Sequence, residues 1–247
     1  MTTDPSLPLA LVCSVALEAD PVRASLSDAA GLRVGGREAG RGTLGATPVL
    51  LLATGMGKTN AAQAVTALLE RAPLRGVIGF GVGGAYPASG LQVGELALAE
   101  REIYGDEGVL TPAGWRSTEE IGIPLLERDG APTFNDLPLD AERVEAARRA
   151  LAAAGWRVRT GPFVTVSTCS GTAARGRELA ERFGALCESM EGAAWAHVAA
   201  HYGVPFLELR AASNLVEDRD PSRWRLREAA DAAARALPAV VGSWRDR

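Results

Sequence analysis

Six apolar runs of strand length recur along the chain with Ala-rich stretches of helical period between many of them, and this alternation constrains the fold more than any other feature. The runs are LALVCSV (9–15), PVLLLAT (48–54), RGVIGFG (75–81), GELALAER (94–101), PFVTVSTC (162–169) and VPFLELRA (204–211). Such strands, interleaved with helices, read as βαβ units packed as a sheet between helix layers. Helices are expected over 19–29, 59–71, 140–154, 172–183, 190–202 and 224–244. Asp140 reads as an N-cap and Gly155 as the stop of its helix. Residues 103–138 interrupt the pattern with Gly, Pro and polar residues. A loop that long inside a compact domain tends to be functional. No repeat or linker divides the chain, and 247 residues at 47% apolar content suit one large α/β unit with a sizeable core. One domain spanning 1–247 is therefore expected.

The formal charge of −4 is spread along the chain with alternating sign. That argues against nucleic acid and an anionic membrane surface as partners. The three cysteines, Cys13, Cys169 and Cys187, have no C-x-x-C spacing and lie in apolar surroundings. They read as reduced, buried thiols, and the chain as cytoplasmic. LPLALVCSVAL lacks a basic leader, is followed by Glu18 and Asp20, and is too short to span a bilayer, so it reads as the first strand.

Two glycine-rich segments imitate nucleotide-binding loops. TGMGKT (54–59) ends like a P-loop, yet Leu52 stands where the earlier glycine is required. GFGVGG (79–84) satisfies G-x-G-x-x-G after a strand, yet Ala85, Tyr86 and Pro87 follow where a helix should begin. What these glycines permit is close approach of a ligand to bare backbone. His197 and His201 stand four apart on one helix without a third ligand, so capping or solvated roles are expected and no metal. Acid–base chemistry is then left to carboxylates. Glu18 follows the first strand directly, and Glu188 and Glu191 flank the start of an apolar helix, where interaction with the helix dipole is the ordinary explanation. Arg210 ends a strand, where an arginine often just pairs with a nearby carboxylate. All lie at or beyond C-terminal ends of candidate strands, the edge at which open α/β sheets bind ligands.

These residues resemble the nucleoside phosphorylase and nucleosidase superfamily, and within it the futalosine hydrolases of the alternative menaquinone pathway. The similarity runs through LVCSVALEADPV, LLATGMGKTNAA, VIGFGVGGAYP and TVSTCSGT to ESMEGAAWAHVAAHYGVPFLELRAASNLVEDRD. The last block is the most specific: methylthioadenosine/S-adenosylhomocysteine nucleosidases have a similar M-E-A or M-E-G helix start, then V-P-F, then a strand ending R-A-x-S-D. The resemblance implies a three-layer αβα sandwich with a mixed central sheet, assembled as a homodimer or larger homo-oligomer in which a neighbouring subunit often helps close the site. It implies no cofactor.

Position by position, the resemblance makes Glu191 the holder of the ribose 2′ and 3′ hydroxyls, with Met190 beneath the sugar. Glu18 becomes the residue that positions the attacking water and moves its proton, and Arg210 lies near that water. Val82 and Gly83 fall on a backbone turn beside the base, and Cys169 to Thr172 on the segment covering it. Met56, Thr168 and Ser213 complete the implied substrate contacts, and Gly55 to Lys58 are the remnant of a phosphate loop. Cleaving an N-glycosidic bond produces an oxocarbenium-like sugar, which anionic carboxylates stabilise.

Asn214 is a departure, because adenine-cleaving relatives carry Asp there. An amide donates to O6 of a 6-oxopurine while accepting from N7–H, whereas a carboxylate repels O6. The implied substrate is futalosine, and the implied products are hypoxanthine and dehypoxanthine futalosine. The rivals are a methylthioadenosine or aminofutalosine nucleosidase and a purine nucleoside phosphorylase. Phosphorylases commonly place an Arg before the glycine-rich turn, where this chain has Val77 and Ile78, and Glu18 would repel phosphate. An oxidoreductase and a non-catalytic nucleoside-binding module fit the glycines and carboxylates less well. For the 3-carboxybenzoyl end of futalosine, the candidates are Tyr104, Trp115 and Arg116 in the long loop, and Arg219, Arg223 and Trp224 near the end of the chain.

Overall fold

A computed structural model describes residues 4 and 6–244; residues 1–3, 5 and 245–247 of the expected single unit lie outside the described residues. In chain order the elements are β1 (Leu9–Cys13), α1 (Ala16–Ser25), β2 (Ser27–Val34), β3 (Arg37–Leu44), β4 (Thr47–Ala53), α2 (Lys58–Arg71), β5 (Gly76–Ala85) and β6 (Leu96–Tyr104). Short strands follow at β7 (Val109–Thr111), β8 (Gly114–Arg116), β9 (Leu126–Arg128), β10 (Ala131–Thr133) and β11 (Asp136–Pro138). The chain continues with α3 (Ala141–Ala153), β12 (Val158–Thr165), α4 (Ala173–Phe183), β13 (Cys187–Ser189), α5 (Gly192–Tyr202), β14 (Phe206–Leu215) and α6 (Leu226–Ser243).

The result is an α/β fold around a mixed sheet in the order β11-β6-β12-β13-β5-β1-β4-β3-β2, with β14 paired to both β5 and β6. β5 runs parallel to β1 and β14, whereas β13 runs antiparallel to β5 and β14 antiparallel to β6. The pairings β5–β14, β14–β6, β6–β12, β12–β13 and β13–β5 therefore close a circuit of strands. In β1, Leu9, Leu11 and Cys13 join one apolar cluster with residues of α1, α3 and α6, while Ala10 and Val12 join another with residues of α2 and α5. Period-two alternation thus commits both faces of the strand to burial. Asp140 caps α3, accepting from the N–H groups of Glu142 and Arg143, and Gly155 beyond that helix has φ +84°. No helix among the described residues is long and apolar enough to cross a membrane.

Several expectations need correction. The helix expected over 19–29 ends at Ser25, and Ser27–Val34 forms a strand paired antiparallel with β3. Alanine content suggests helix there, and tertiary pairing overrides it. GFGVGG is not a turn but part of β5, which continues to Ala85. The segment 103–138 is not an open loop, because it carries the hairpins β7–β8 and β9–β10 and the edge strand β11. Cys13 and Cys187 are buried, but Cys169 is exposed.

Candidate active site

Glu18 is the third residue of α1, and its carboxylate folds back over the helix start. Oε2 accepts from the Ser14 N–H at 2.8 Å, the Ser14 hydroxyl at 2.9 Å and the Val15 N–H at 3.2 Å. That is the behaviour of an N-terminal capping glutamate. Oε1 does something a cap does not require: it accepts from the Val82 N–H of β5 at 2.9 Å. Four donors fix the orientation of a carboxylate that is only 1% exposed.

Arg210 lies within β14 rather than at its end, 1% exposed. Its Nη1 donates to the Val82 carbonyl at 2.9 Å and its Nε to Glu208 Oε1 at 2.6 Å. Nη2 lies 3.5 Å from Glu191 Oε2, and the guanidinium stands 5.2 Å from the centre of the Trp195 ring. Glu208 is the close partner, and removing one member of a buried pair of that kind typically costs about 3–5 kcal/mol, because the other charge is left unmatched.

Glu191 is the N-cap of α5, but its side chain does not cap that helix. Oε1 instead accepts from the Gly57 N–H at 2.9 Å. The helix-dipole reading therefore does not account for where the carboxylate points. Burial raises its pKa above the ordinary glutamate value, while Arg210 and the Gly57 N–H pull it down. Glu188 accepts from Tyr86 Oη at 3.0 Å and from the Ser170 N–H and hydroxyl at 2.8 and 2.7 Å.

A bulge in β14 at Ser213, between Ala212 and Asn214, shifts the register against β5. Bulges re-aim side chains, and here the shift comes just before Asn214. The Ser213 hydroxyl is 2.8 Å from Asn214 Oδ1, and Asn214 Nδ2 donates to the Leu215 carbonyl at 3.0 Å. These contacts fix the amide plane and leave one N–H and one lone pair available.

These groups line one cavity of about 240 Å³. Of the residues expected at the site, Glu18, Met56, Val82, Gly83, Cys169, Met190, Glu191, Arg210, Ser213 and Asn214 line it; Thr168 does not. Ser170 of the expected covering segment and Gly84 of GFGVGG also line it, as do Ser14, Ser189 and Leu226, which sequence reasoning did not single out. Cys169 reaches the cavity from an exposed position, its thiol pushed up to about 11 by partial burial and by Glu188 and Glu191. Arg219 and Trp224 line the cavity too, with the guanidinium 4.3 Å from the centre of the indole. The other candidates for an aryl-binding region lie elsewhere. Trp115 packs edge-on against Phe183, Tyr104 is buried beside His197, Arg116 pairs with Glu120 and Arg223 with Glu217.

Two backbone donors and the ammonium of the 55–58 loop are engaged. The Gly55 N–H donates to the Ser14 carbonyl and that of Gly57 to Glu191, while Lys58 pairs with Asp106 and Glu107. His197 and His201 stack at 4.9 Å, and His197 contacts Tyr104 Oη and the Leu125 carbonyl.

The chain belongs to the phosphorylase superfamily, whose family model matches residues 8–242. Within that class it is similar to futalosine hydrolase from Thermus thermophilus, 39% identical over 191 residues that cover 77% of this chain and 80% of the relative. Futalosine hydrolase from Streptomyces coelicolor is 40% identical over 205 residues, covering 79% and 80% of the two chains. A 5'-methylthioadenosine/S-adenosylhomocysteine nucleosidase from Geobacillus kaustophilus is 32% identical, covering 74% of this chain and 73% of the relative. Among solved structures, the S. pneumoniae nucleosidase of that name, with a transition-state inhibitor, superimposes with a TM-score of 0.82 at 22% identity, covering 96% of this chain and 99% of that one. At that identity the likeness concerns the fold.

Proposed function

We propose that this protein is a futalosine hydrolase: it cleaves the N-glycosidic bond of futalosine with water and releases hypoxanthine and dehypoxanthine futalosine in the alternative menaquinone pathway. The observation that carries the reading is the meeting of Glu18, Glu191, Arg210 and Asn214 on one cavity, where Glu191 rather than an anion takes the Gly57 N–H. The names of the Thermus and Streptomyces relatives support the same substrate.

In this reading Glu18 orients the attacking water and takes its proton, with Arg210 beside it. Glu191 accepts from the ribose diol over Met190, and Met56 borders the sugar. As the bond breaks, the two carboxylates stabilise the developing positive charge on the sugar. Val82 and Gly83 offer backbone to the purine, and Thr168 and Cys169 belong to the covering segment. Ser213 holds the Asn214 amide so that its remaining N–H meets O6 and its oxygen accepts from N7–H, the N7 proton coming from solvent water while Glu18 returns to solvent the one it took from the nucleophile. Arg219, over the ring of Trp224, suits the aryl carboxylate at the far end of futalosine.

The proposal extends to organisation. The two apolar clusters on opposite faces of β1 support a three-layer αβα sandwich, and the extent of the family match supports one nucleoside phosphorylase-like domain over 1–247. A cytoplasmic homodimer or larger homo-oligomer without cofactor completes the reading. An adenine-cleaving nucleosidase is the second reading, favoured by the Geobacillus relative and opposed by Asn214.

The test is incubation with futalosine in phosphate-free buffer, with hypoxanthine followed by chromatography. Release without phosphate is expected; release only on adding phosphate makes the protein a phosphorylase, and no release ends the proposal.

A further inference from the structure

Behind Arg210, away from the cavity lining, two glutamates are fully enclosed by protein. Glu102 on β6 and Glu208 on β14 are both 0% exposed. Glu208 Oε1 accepts the Arg210 Nε–H at 2.6 Å, but among the described residues Glu208 Oε2 and both oxygens of Glu102 make no well-formed hydrogen bond, the Thr165 hydroxyl approaching Glu102 only loosely. The two carboxyls adjoin each other at the first residue of α5. A Cβ placed on Gly192 would stand 2.5 Å from Glu102 Oε2 and 2.6 Å from Glu208 Oε2, so only glycine lets that helix close over them. Two adjacent anions there would be costly, since a buried charge without a partner is among the least tolerated features of a fold. A single proton between them supplies the missing donor and removes one charge, as carboxyl dyads do.

We propose that Glu102 and Glu208 share one proton, held on Glu102, and that the ionised Glu208 is a positioning residue that binds Arg210 through Nε. The contact to Glu208 at 2.6 Å is much shorter than the 3.5 Å approach of Nη2 to Glu191. The positive charge of Arg210 is thereby matched from behind. Glu191 is then not required as the counter-charge from the cavity side, and Arg210 Nη1 stays on the Val82 carbonyl. Burial, and then the neighbouring Glu208, push the Glu102 carboxyl well above the usual glutamate range, while Arg210 and Thr165 oppose this. Cys187 and Tyr104 are the other titratable groups whose fields meet Glu102, and both thiol and phenol are pushed upward by burial.

The kinetic arm of the test rests on the proposed hydrolase function, and the spectroscopic arm does not. With glutamate side-chain carboxyls labelled by ¹³C, the unaltered protein should show a protonated carboxyl signal at pH 7, absent in Glu102→Gln. In turnover, Glu102→Leu should lower kcat about 10-fold or more, because Glu208 loses its donor. Glu102→Gln, whose amide N–H replaces the shared proton, should recover kcat to within about 3-fold of the unaltered enzyme. Glu208→Gln should lower kcat about 10-fold or more with a smaller change in KM. The proposal fails if no carboxyl is protonated at pH 7, or if Glu102→Gln and Glu102→Leu are equally impaired while Glu208→Gln is unaffected. If the unaltered protein does not hydrolyse futalosine, the proposed function falls and the NMR signal alone decides on the pair.

Discussion

Glu18 and Arg210 hold the same residue from two sides, the carboxylate accepting the Val82 N–H at 2.9 Å and the guanidinium donating to the Val82 carbonyl at 2.9 Å. The spacing of acid and cation is therefore set by the backbone of a sheet strand, which is more rigid than a loop. Gly81 makes the approach possible, since a Cβ there would lie 2.3 Å from Glu18 Oε1 and 3.2 Å from Arg210 Nη1.

Gly81→Ala should accordingly displace the Glu18 carboxylate and reduce kcat by about 100-fold, the scale of a misplacement near 1 Å. Circular dichroism should stay unchanged. Glu18→Gln, which keeps the shape and removes the base, should lose about 10²–10⁴-fold. Full activity in either variant would show that Glu18 is only a helix cap.

Exchange of one atom type at position 214 should change the purine preference. Asn214→Asp places a carboxylate against O6, an unmatched contact worth about 1–3 kcal/mol, so futalosine cleavage should fall about 5- to 150-fold. Cleavage of aminofutalosine should rise relative to it. Parallel assays on the two nucleosides decide this, and an unchanged ratio means that the purine is read elsewhere.

Glu191 carries a pH signature. Its pKa is raised by burial, and only the ionised form accepts from both ribose hydroxyls, so kcat/KM should fall on the acid side through a value above that of an unperturbed glutamate, about 4.3. The stability consequence has the opposite direction. A raised folded-state pKa means that protonation favours the fold, a contribution fully present below the unfolded value and lost as pH rises through the folded one. Glu191→Gln should therefore melt higher than the unaltered protein at neutral pH, with the difference shrinking toward pH 4. An acid limb at or below the unperturbed value contradicts the assignment.

Arg219→Ala separates recognition of the substrate's far end from recognition of its purine. KM for futalosine should rise about 5-fold or more, a modest figure because Arg219 is solvent-exposed. For inosine, which has the same base and no aryl carboxylate, kcat/KM should be unchanged. Equal losses on both would place Arg219 in a purely structural role.

The central strands were readable because burial on both faces leaves a near-continuous apolar run, as in LALVC and PVLLLA. The β2–β3 pair was not, since SDAAGLRV and REAGRGTL have neither clear alternation nor apolar content and depend on their partners. Glu18, Arg210 and Asn214 could be picked out as polar residues next to apolar strands. Glu208 was missed although it carried a signal: it stands two residues before Arg210 in an apolar strand, hence on the same face. Glu102 carried less. A register shift between β6 and β12 near Glu100 resets the alternation before it, just as the shift at Ser213 does before Asn214, and no spacing rule in one strand discloses an irregularity made by two.

β14 lies between β5 and β6 although it is made long after both. While the chain is being synthesised, those two strands leave the ribosome with the edges that will face β14 unpaired, open to other nascent chains. The late strand also carries Arg210, Ser213 and Asn214, so the centre of the sheet and half of the polar site arrive together, long after β5 and β6. A prematurely terminated product would be both sticky and inert, which leaves quality control with a single event to monitor: the insertion of β14.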